Sequence, residues 1–271
     1  MTMVQRDADA RDTCAWWEMQ RGSGPIIATA IHDGTGLRPE VRERMALPDA
    51  DRVREEDPFT GQAVKGVPTH VIAGRSRFEV DLNRAAGEAV YRTPDQAWGL
   101  DVWRSPLDDA FVQRSVGIHQ AFYAMMRQLL DSMAAEHGRF VVLDVHSYNH
   151  RRDGPDARPT PQADAPDINI GTISMPRERW SFLLDPLIEA MREFDYLGGK
   201  LDVRENVAFQ GRGELTRFVH AHYPSSGCAI AIEFKKFYMD EWTGQPDQAH
   251  LGAMRAFIDH VAATCRGLLD A

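Results

Sequence analysis

The sequence predicts an α/β protein with a mixed, mainly parallel central sheet and helices on both faces. Short apolar runs that suit buried strands recur along the chain, notably over residues 25–31, 140–143 and 228–234. Segments with helical spacing of apolar residues lie between them. Strands that alternate with helices usually pair in parallel and are covered on both faces, and these observations therefore predict this fold class.

Each further element has its own signal in the sequence. The β-branched run at 69–73 predicts a strand, and the alternation of apolar and acidic residues at 78–82 predicts another. Apolar residues on one face predict a long helix over 108–136, which Gly138 ends before a strand at 140–145. The remaining predicted elements are a strand at 168–173, a helix at 180–194, a strand at 228–234 and a helix at 250–269.

The composition suits one globular domain. The chain has 271 residues, of which 43% are hydrophobic and 26% charged, and that length is enough to bury a sizeable core. We expect a single domain over residues 1–271, with residues 1–20 as an N-terminal extension. The formal net charge of −9 argues against general binding to nucleic acids, so specific arginines must recognise any anionic substrate.

The sequence gives no signal for membrane insertion or secretion. No apolar run approaches the roughly 20 residues that a membrane span needs, and the charged N-terminus has no continuous apolar segment. We therefore expect a cytoplasmic protein that does not bind membranes. The cysteines Cys14, Cys228 and Cys265 are too far apart for a disulfide framework or a zinc ribbon. The oligomeric state stays open.

Two histidines lie at the ends of predicted strands. His32 comes directly after the run at 25–31, and His146 follows the run that begins at residue 140. The carboxyl ends of parallel strands form the ligand-binding edge of an α/β sheet, so these imidazoles are candidate ligands of one metal ion. Each histidine alone is also compatible with a hydrogen-bonded core residue, but two of them at strand ends favour a site.

A catalytic zinc ion usually takes a third protein ligand and leaves one position open. The acidic run at 54–58, which contains Glu56 and Asp57, is the nearest source after His32. Asp144 precedes His146 by two residues and points to the same side of the strand, so it is a candidate for orienting that imidazole or for capping a loop. Zinc suits these residue types, and iron, cobalt or nickel can bind the same set.

Two arginine-containing segments are candidates for binding a substrate carboxylate. Asn83 and Arg84 end the predicted strand at 78–82, where an amide and a guanidinium can bind a carboxylate through paired hydrogen bonds. The glycine-containing run 211–217, which ends in Arg217, precedes a helical pattern and can bind an anion through backbone N–H groups. The simpler alternatives are a surface salt bridge for Arg84 and an ordinary helix start for the glycines.

Glu233 is the most unusual acidic residue of the chain. It follows the apolar run at 228–232, where a carboxylate is costly unless it is paired or near a metal ion. Burial there raises a carboxyl pKa toward the range of a general base. The alternative is a salt bridge, for which Arg84 suits the geometry better than Lys235 or Lys236 because adjacent strand residues point to opposite faces.

Taken in order, these short motifs resemble the N-formylglutamate amidohydrolase family, whose fold is similar to that of zinc carboxypeptidases and aspartoacylases. The matching runs are His-Asp-Gly at 32–34, Glu-Asp at 56–57, Asp-Leu-Asn-Arg at 81–84, Asp-Val-His-Ser at 144–147, Asp-Ile-Asn-Ile-Gly-Thr at 167–172, Phe-Gln-Gly at 209–211, Thr-Arg at 216–217 and Glu233. Each motif is short, but the ordered set is specific and covers most of the chain.

The resemblance implies metal-dependent hydrolysis of an N-acyl amino acid, with N-formyl-L-glutamate, which gives formate and L-glutamate, as the best match. It implies one zinc ion per chain, held by His32, His146 and an acidic residue, and register with the family favours Asp57 over Glu56. It also implies that Glu233 acts as the general base. The implied substrate-binding residues are Asn83, Arg84, Asn169 and Arg217, and Arg84 is also a candidate for stabilising the oxyanion.

This chain departs from the family pattern at three places. Ile31 stands where the family often has Pro, Asp33 replaces the common Ser or Thr, and the segment 149–167 is long and charged. A segment of that length is a mobile loop or an active-site lid. Two other hypotheses therefore stay open, namely hydrolysis of a different N-acyl amino acid or small peptide, and non-catalytic binding of a carboxylate ligand.

Overall fold

The strands of the chain form one mixed sheet. The computed structural model describes residues 2–6 and 15–271, so Cys14 lies outside the described residues. The strands are β1 (Thr2–Arg6), β2 (Ala15–Gln20), β3 (Ile26–Ala30), β4 (Thr69–Ala73), β5 (Phe140–Tyr148), β6 (Ile168–Gly171), β7 (Val203–Glu205) and β8 (Gly227–Lys235). Their spatial order is β1-β2-β4-β3-β5-β8-β6-β7.

The central strands of this sheet are parallel. Strand β3 pairs in parallel with β4 and β5, and β5 pairs in parallel with β8. Antiparallel pairs join β1 to β2, β2 to β4 and β6 to β8, while β6 and β7 are parallel. Strands β3 and β5 are buried along their whole length, as expected for parallel strands that are covered on both faces. The predicted mixed, mainly parallel sheet is confirmed.

Helices cover both faces of the sheet. They are α1 (Pro39–Arg44), α2 (Asp49–Glu55), α3 (Thr60–Val64), α4 (Asp109–His137), α5 (Ser181–Glu193), α6 (Glu214–His222) and α7 (Gln248–Asp270). Alternate strand residues point to opposite faces: Leu143 and Ile230 pack against α3, α5 and α7. Val142 and Ala229 pack against α4 and α6 on the other face. Among the described helices, none combines the length and the apolar character that crossing a bilayer requires.

The long helix α4 shows why most helix boundaries can be predicted from the sequence. The side chain of Asp108 accepts a hydrogen bond from the backbone N–H of Phe111 at 2.8 Å, which caps the first turn. The helix ends at Gly138, whose φ of 71° lies in the left-handed region that glycine adopts without strain.

The N-terminal segment takes part in the sheet. Residues 15–20, which the sequence analysis assigns to an extension, form β2 and pair with β4. Trp16 and Trp17 in this strand are buried, and Trp17 packs edge-on against Phe122 of α4. The sequence analysis missed this strand because Glu18 and Gln20 interrupt its apolar pattern.

The predicted strand at residues 78–82 is wrong. The segment forms turns, with the backbone N–H of Glu79 donating to Ser76 O at 3.0 Å. Alternation of apolar and acidic residues is typical of a strand whose acidic side chains face solvent. Here both acidic side chains are instead buried against basic groups. The backbone N–H of Arg38 donates to the Glu79 carboxylate at 2.9 Å, and His32 contacts Asp81 at 2.7 Å. These buried contacts turn the chain back toward β3.

Three adjacent strand ends define one edge of the sheet. His32 lies two residues beyond the end of β3, His146 lies near the end of β5, and Glu233 lies near the end of β8. The parallel register of β5 and β8 places His146 beside Glu233. Segments that are distant in sequence therefore meet at the edge where α/β sheets bind ligands.

Candidate active site

Two histidines and one aspartate converge at this edge of the sheet. The Nδ1 atoms of His32 and His146 lie 3.3 Å and 3.0 Å from the same oxygen, Oδ2 of Asp57. All three side chains are buried. The candidate ligand atoms of this set all lie within 4.8 Å of one another. The structure thus brings together both predicted histidines and one of the two predicted acidic residues.

The second ring nitrogen of each histidine faces a buried aspartate. Nε2 of His32 lies 2.7 Å from Oδ1 of Asp81, and Nε2 of His146 lies 3.1 Å from Oδ2 of Asp144. The hydroxyl of Thr29 donates to the other oxygen of Asp144 at 2.8 Å and so holds that carboxylate in place. Carboxylates behind metal-ligating histidines fix the ring orientation and increase ligand basicity. Here they aim both Nδ1 atoms at Asp57.

The geometry of the three donors fits a tetrahedral metal ion. Zinc–ligand distances of about 2.0–2.1 Å place neighbouring ligand atoms about 3.3 Å apart, which is close to the distances from Asp57 to the two histidines. Nδ1 of His32 is buried and makes no hydrogen bond within the described residues. A buried polar atom of this kind calls for an explanation, and a metal ion is the partner that the surrounding donor set suits.

The charges of this cluster are strongly coupled. Burial opposes ionisation of Asp57, but the imidazoles of His146 and His32 beside it hold the pKa of its carboxyl well below its usual range. Burial likewise opposes protonation of His146, yet Asp144 and Asp57 hold the pKa of its imidazole well above the usual value. The cluster therefore attracts positive charge at its centre.

Glu56 and Asp57 are adjacent but point in different directions. The Glu56 carboxylate is buried beside Arg52, with which it forms an ion pair, and burial raises the pKa of Glu56 to about 7. The backbone N–H of Asp57 donates to the carbonyl of His32 at 3.0 Å, which turns the Asp57 side chain toward the histidines. The structure places Asp57 in the donor cluster and Glu56 outside it.

A buried lysine fixes the segment that carries Asp57. Nζ of Lys236, just beyond β8, donates to the carbonyls of Arg54 and Glu56 at 2.5 Å and 2.6 Å. Lys236 is 1% exposed, so these two carbonyl groups replace water as hydrogen-bond acceptors for its ammonium group. The sequence analysis considered Lys236 only as a salt-bridge partner of Glu233. Its position beyond the strand end was the available signal.

Glu233 lines the same cavity as the histidines. Within the described residues its carboxylate makes no hydrogen bond or ion pair, while Lys235 instead contacts Asp167 at 2.7 Å. Desolvation raises the pKa of Glu233 to about 8, with His146 opposing this rise and Asp57 adding to it. An unpaired carboxylate with a raised pKa, beside candidate metal ligands, has the properties of a proton acceptor.

Asn83 and Arg84 also line the cavity, on the wall that follows the turn at 78–82. One Arg84 nitrogen donates to Gln96 O at 2.7 Å, and its guanidinium stacks 4.5 Å from the centre of the Tyr91 ring. The Asn83 amide nitrogen lies 3.3 Å from Nε2 of His146. The Arg84 side chain is 26% exposed, and its Nε lies 3.6 Å from the Asp81 carboxylate.

The two other predicted substrate-binding residues do not line this cavity. Asn169 is fully buried, and its side-chain oxygen accepts the N–H groups of Val207 and Ala208, each at 2.9 Å. Arg217 has a side chain that is 59% exposed, and it lies 3.6 Å from Glu214. Asn169 therefore supports the neighbouring loop, and Arg217 faces outward from α6.

The cavity has a volume of about 390 Å³. Residues that the sequence analysis did not single out complete its walls. These are chiefly Arg77, Arg152 and Arg212 among the cations, and Trp98, Tyr148 and Phe209 among the aromatics. Three of them lie in segments that carry a sequence signal, namely Arg212 in the run at 211–217, Phe209 in the motif at 209–211 and Arg152 in the charged segment 149–167.

The segment 149–167 is fastened at both ends. Glu241 accepts the N–H groups of His150 and Arg151 at 2.7 Å and 3.0 Å. At the other end, Nζ of Lys235 donates to Ala165 O at 3.1 Å. Between these ends, Arg152 reaches the cavity and lies 3.4 Å from the Glu55 carboxylate. The role of this segment as a lid stays a prediction.

Comparison with known proteins identifies the family. The family model for N-formylglutamate amidohydrolase matches residues 24–239. This range contains the three candidate metal ligands, His32, Asp57 and His146, and also Glu233. The chain belongs to this family. None of the curated proteins matches the chain.

Two solved structures share this fold. An N-formylglutamate amidohydrolase from Ralstonia eutropha JMP134 superposes with a TM-score of 0.70 at 16% identity, over 93% of this chain and 97% of the other. A gene product of Agrobacterium tumefaciens superposes with a TM-score of 0.64 at 16% identity, over 92% of both chains. A metallo-carboxypeptidase from Burkholderia cenocepacia matches at 11% identity with a TM-score of 0.42, over 97% of this chain and 64% of the other.

Proposed function

We propose that the protein is a metal-dependent hydrolase of N-acyl amino acids, with N-formyl-L-glutamate as the best substrate and formate and L-glutamate as products. The observation that carries this proposal is the convergence of His32, Asp57 and His146, each histidine being backed by a second carboxylate. The family match supports amide hydrolysis as the reaction class.

Zinc is the metal that this donor set suits best, because two imidazoles, one carboxylate and an open position are typical of catalytic zinc sites. When bound, the ion lowers the pKa of water toward about 7 and polarises a carbonyl group. We propose one zinc ion per chain, held by Nδ1 of His32, Nδ1 of His146 and the Asp57 carboxylate. Other divalent ions can occupy the same residues.

Glu233 is the proposed general base and acid. Its carboxylate accepts a proton from the attacking water, whose oxygen forms a new bond to the amide carbon. The protonated carboxyl then donates that proton to the amine nitrogen as the carbon–nitrogen bond breaks. A carboxyl group whose pKa lies near the working pH can perform both transfers, and the raised pKa of Glu233 meets this requirement.

Arg84 is the proposed anchor for a substrate carboxylate and a donor to the developing oxyanion. Its guanidinium is held by Gln96 O and the Tyr91 ring, so little side-chain freedom is lost on binding. Asn83, beside it on the same wall, is a second donor to the substrate. Asn169 contributes indirectly, by holding the loop that faces them.

A second candidate function is hydrolysis of amino acids that carry a larger acyl group. The half-exposed aromatic rings of Trp98 and Phe209, which are 45% and 41% exposed, line the cavity and offer apolar surface to such a group. Rates with N-formyl, N-acetyl and longer N-acyl glutamates distinguish the two candidates, since preference for the longer acyl chains favours the second.

The experiment that tests the proposed function measures formate released from N-formyl-L-glutamate. The protein is assayed after treatment with a chelator and again after one equivalent of zinc is added. We expect activity to disappear with the chelator and to return with zinc. Equal activity in both samples contradicts metal dependence. No release of acid from any N-acyl amino acid contradicts the hydrolase and favours the carboxylate-binding alternative.

A further inference from the structure

We propose that Asn149 binds the acyl group of the substrate, and that the protein therefore also hydrolyses N-acyl amino acids whose acyl group carries a hydroxyl. This inference rests on the proposed function, because it assumes hydrolysis at the candidate metal site, and it adds a further class of substrate. A formyl group has only a hydrogen on its carbonyl carbon. A hydroxyacyl group such as glycoloyl extends from that carbon by a CH₂OH group.

Asn149 carries a buried amide that has no partner. The residue directly follows β5, lines the cavity that contains the candidate metal ligands and is 7% exposed. Its Oδ1 is buried, and neither Oδ1 nor Nδ2 forms a hydrogen bond with residues 2–6 or 15–271. An unpaired buried amide is costly and rare in native structures. In a cavity it indicates a ligand group that can both donate and accept a hydrogen bond.

The other three asparagines of the chain all use their side-chain amides to hold the protein together. Oδ1 of Asn83 accepts the N–H of Leu215 at 3.3 Å. Asn169 holds the loop that begins at residue 207, as described above. Oδ1 of Asn206 accepts the N–H of Thr172 at 2.9 Å, and its Nδ2 donates to the Thr172 hydroxyl at 2.8 Å. Asn149 therefore has no comparable structural role within the described residues.

Asn149 lies on the side of the cavity that faces α3. Along β5, Leu143 packs against α3, α5 and α7, and alternate residues share its side of the sheet. Ser147 follows this pattern, and its hydroxyl donates to Oδ1 of Asp57 at 3.3 Å. Asn149 comes two residues later, which corresponds to about 6–7 Å along an extended chain. This spacing leaves room for a short acyl extension between the candidate metal site and the amide.

The wall that carries Arg84 lies on the opposite side, above α4. His119 of that helix contacts the carbonyl of Arg84 at 2.8 Å, and the Tyr123 hydroxyl donates to the carbonyl of Leu82 at 2.7 Å. Arg84 is the proposed anchor for the carboxylate of the amino acid. With that carboxylate on the α4 side and the scissile bond at the metal site, the acyl group extends toward Asn149.

The charged groups around Asn149 favour a neutral acyl group. Guanidinium nitrogens of Arg152 and Arg54 lie 3.4 Å and 3.6 Å from the Glu55 carboxylate, and Lys236 is bound to two carbonyl groups. A charged acyl group must displace one of these partners, whereas a hydroxyl only fills the free hydrogen bonds of Asn149. An alkyl acyl group of the same size leaves the amide unpaired and is disfavoured.

The test compares kcat/KM for N-glycoloyl-L-glutamate and N-propionyl-L-glutamate, whose acyl groups have the same size and differ by a hydroxyl in place of a methyl group. We expect zinc-loaded wild-type protein to prefer the glycoloyl substrate by about 10- to 100-fold. We expect Asn149→Leu to lose most of this preference, because leucine has a similar shape but no hydrogen-bonding atoms. Asn149→Ser, which keeps a donor and an acceptor, should retain part of it.

Gln162→Met is the matched control. Gln162 belongs to the same segment, 149–167, and its side-chain amide donates to Asp202 at 2.8 Å. It does not line the cavity. Loss of an amide that only shapes this segment is tested by Gln162→Met, and we expect this variant to keep the wild-type preference for the glycoloyl substrate.

Three outcomes overturn this inference while the proposed function stands. They are wild-type protein that hydrolyses N-formyl-L-glutamate without preferring glycoloyl to propionyl, an unchanged preference in Asn149→Leu, and an equal loss in Gln162→Met. If the wild-type protein releases acid from none of the three substrates, the proposed function has failed instead. Calorimetric binding of the glycoloyl and propionyl compounds then decides on Asn149, because Asn149→Leu must weaken only the glycoloyl compound. Equal weakening, or none, contradicts the inference.

Discussion

His32 and His146 are distinguished from a neighbouring buried histidine by what their ring nitrogens face. Each presents Nδ1 to Asp57 and Nε2 to a second aspartate. His70, on the adjacent strand β4, contacts the backbone carbonyl of Val67 at 2.8 Å and has no carboxylate partner among residues 2–6 and 15–271. The carboxylates on both sides of the first two rings are what distinguish these candidate metal ligands from an ordinary core histidine.

We expect replacement of Glu233 to slow hydrolysis without changing metal binding. Glu233→Gln keeps the shape of the side chain but removes its ability to accept a proton at neutral pH. We expect kcat for N-formyl-L-glutamate to fall by about 10²- to 10⁴-fold, the usual contribution of a general base, with metal content unchanged. Formate release and metal analysis on the same preparation provide the measurement. A kcat within threefold of the wild-type value would assign the base elsewhere.

We expect replacement of Lys236 to weaken the affinity of the protein for zinc. Lys236→Met removes the two hydrogen bonds that fix the backbone just before Asp57, and we expect zinc binding to weaken by about 10- to 100-fold, as for other supports of metal ligands. Competition with a chromogenic chelator measures this affinity. Lys235→Met is the matched control, because the Lys235 side chain contacts Asp167 and not the Asp57 segment. Equal affinities in the two variants would refute a positioning role for Lys236.

The sequence predicts which residues lie at the candidate site where strand ends or ordered motifs give a signal, as for His32, His146 and Glu233. It cannot do so where an exact side-chain direction matters. Glu56 and Asp57 are adjacent acidic residues, and only register with the family favours Asp57 in the sequence. In the structure, the hydrogen bond from the Asp57 backbone to His32 and the ion pair of Glu56 with Arg52 turn the two side chains in different directions. Asn169 matched a family motif, but its buried hydrogen bonds show that it supports a loop.

Among the elements, helix α6 and strand β8 are coupled through a neutral histidine. The backbone N–H of Ala229 donates to Nε2 of His220 at 3.0 Å, and Nδ1 of His220 lies 3.2 Å from the Ser174 hydroxyl. The nitrogen that accepts cannot also carry a proton. Burial disfavours the charged form of the ring and lowers the pKa of His220 to about 4.

This contact predicts a loss of stability in mild acid. Below the unfolded-state pKa of about 6.5, the unfolded chain binds a proton that the folded chain refuses until about pH 4, so stability falls as pH drops through that window. We expect His220 to contribute about 1–2 kcal/mol to the decrease in unfolding free energy between pH 7.5 and pH 5. Denaturant unfolding of wild-type protein and His220→Gln at both pH values measures this contribution. An identical decrease in the two proteins would exclude it.

Elements were predictable where propensity and burial agree. The runs at 69–73, 140–145 and 228–234 became β4, β5 and β8, because apolar, β-branched residues suit strands that are buried on both faces. The segment 78–82 does not form the predicted strand. Its acidic residues are buried against Arg38 and His32 and are not exposed to water. Alternation alone cannot reveal buried charge pairs.

At the scale of the whole molecule, the candidate metal site joins distant parts of the chain. His32, Asp57 and His146 follow β3, α2 and most of β5, and the sheet must form before their side chains meet. The unfolded chain has no such preformed site, so metal binding adds to the stability of the folded state. The net negative charge of −9 also favours uptake of a cation.

This coupling predicts a metal-dependent melting temperature. Free zinc at 100 times its dissociation constant stabilises the folded state by about 2.7 kcal/mol, and we expect a shift of several degrees in Tm relative to chelator-treated protein. Differential scanning calorimetry of the two samples measures the shift. His32→Ala serves as the control, since it should melt at one temperature with or without zinc. A zinc-dependent shift of equal size in His32→Ala would place the ion elsewhere.

Metal content by mass spectrometry decides whether His32, Asp57 and His146 hold a metal ion. The purified wild-type protein is compared with His146→Ala and with His70→Gln, which alters an equally buried histidine that contacts a backbone carbonyl. We expect about one zinc ion per chain in the wild-type protein and in His70→Gln, and almost none in His146→Ala. No metal in the wild-type protein after zinc is supplied, or undiminished metal in His146→Ala, would contradict a metal site at these residues.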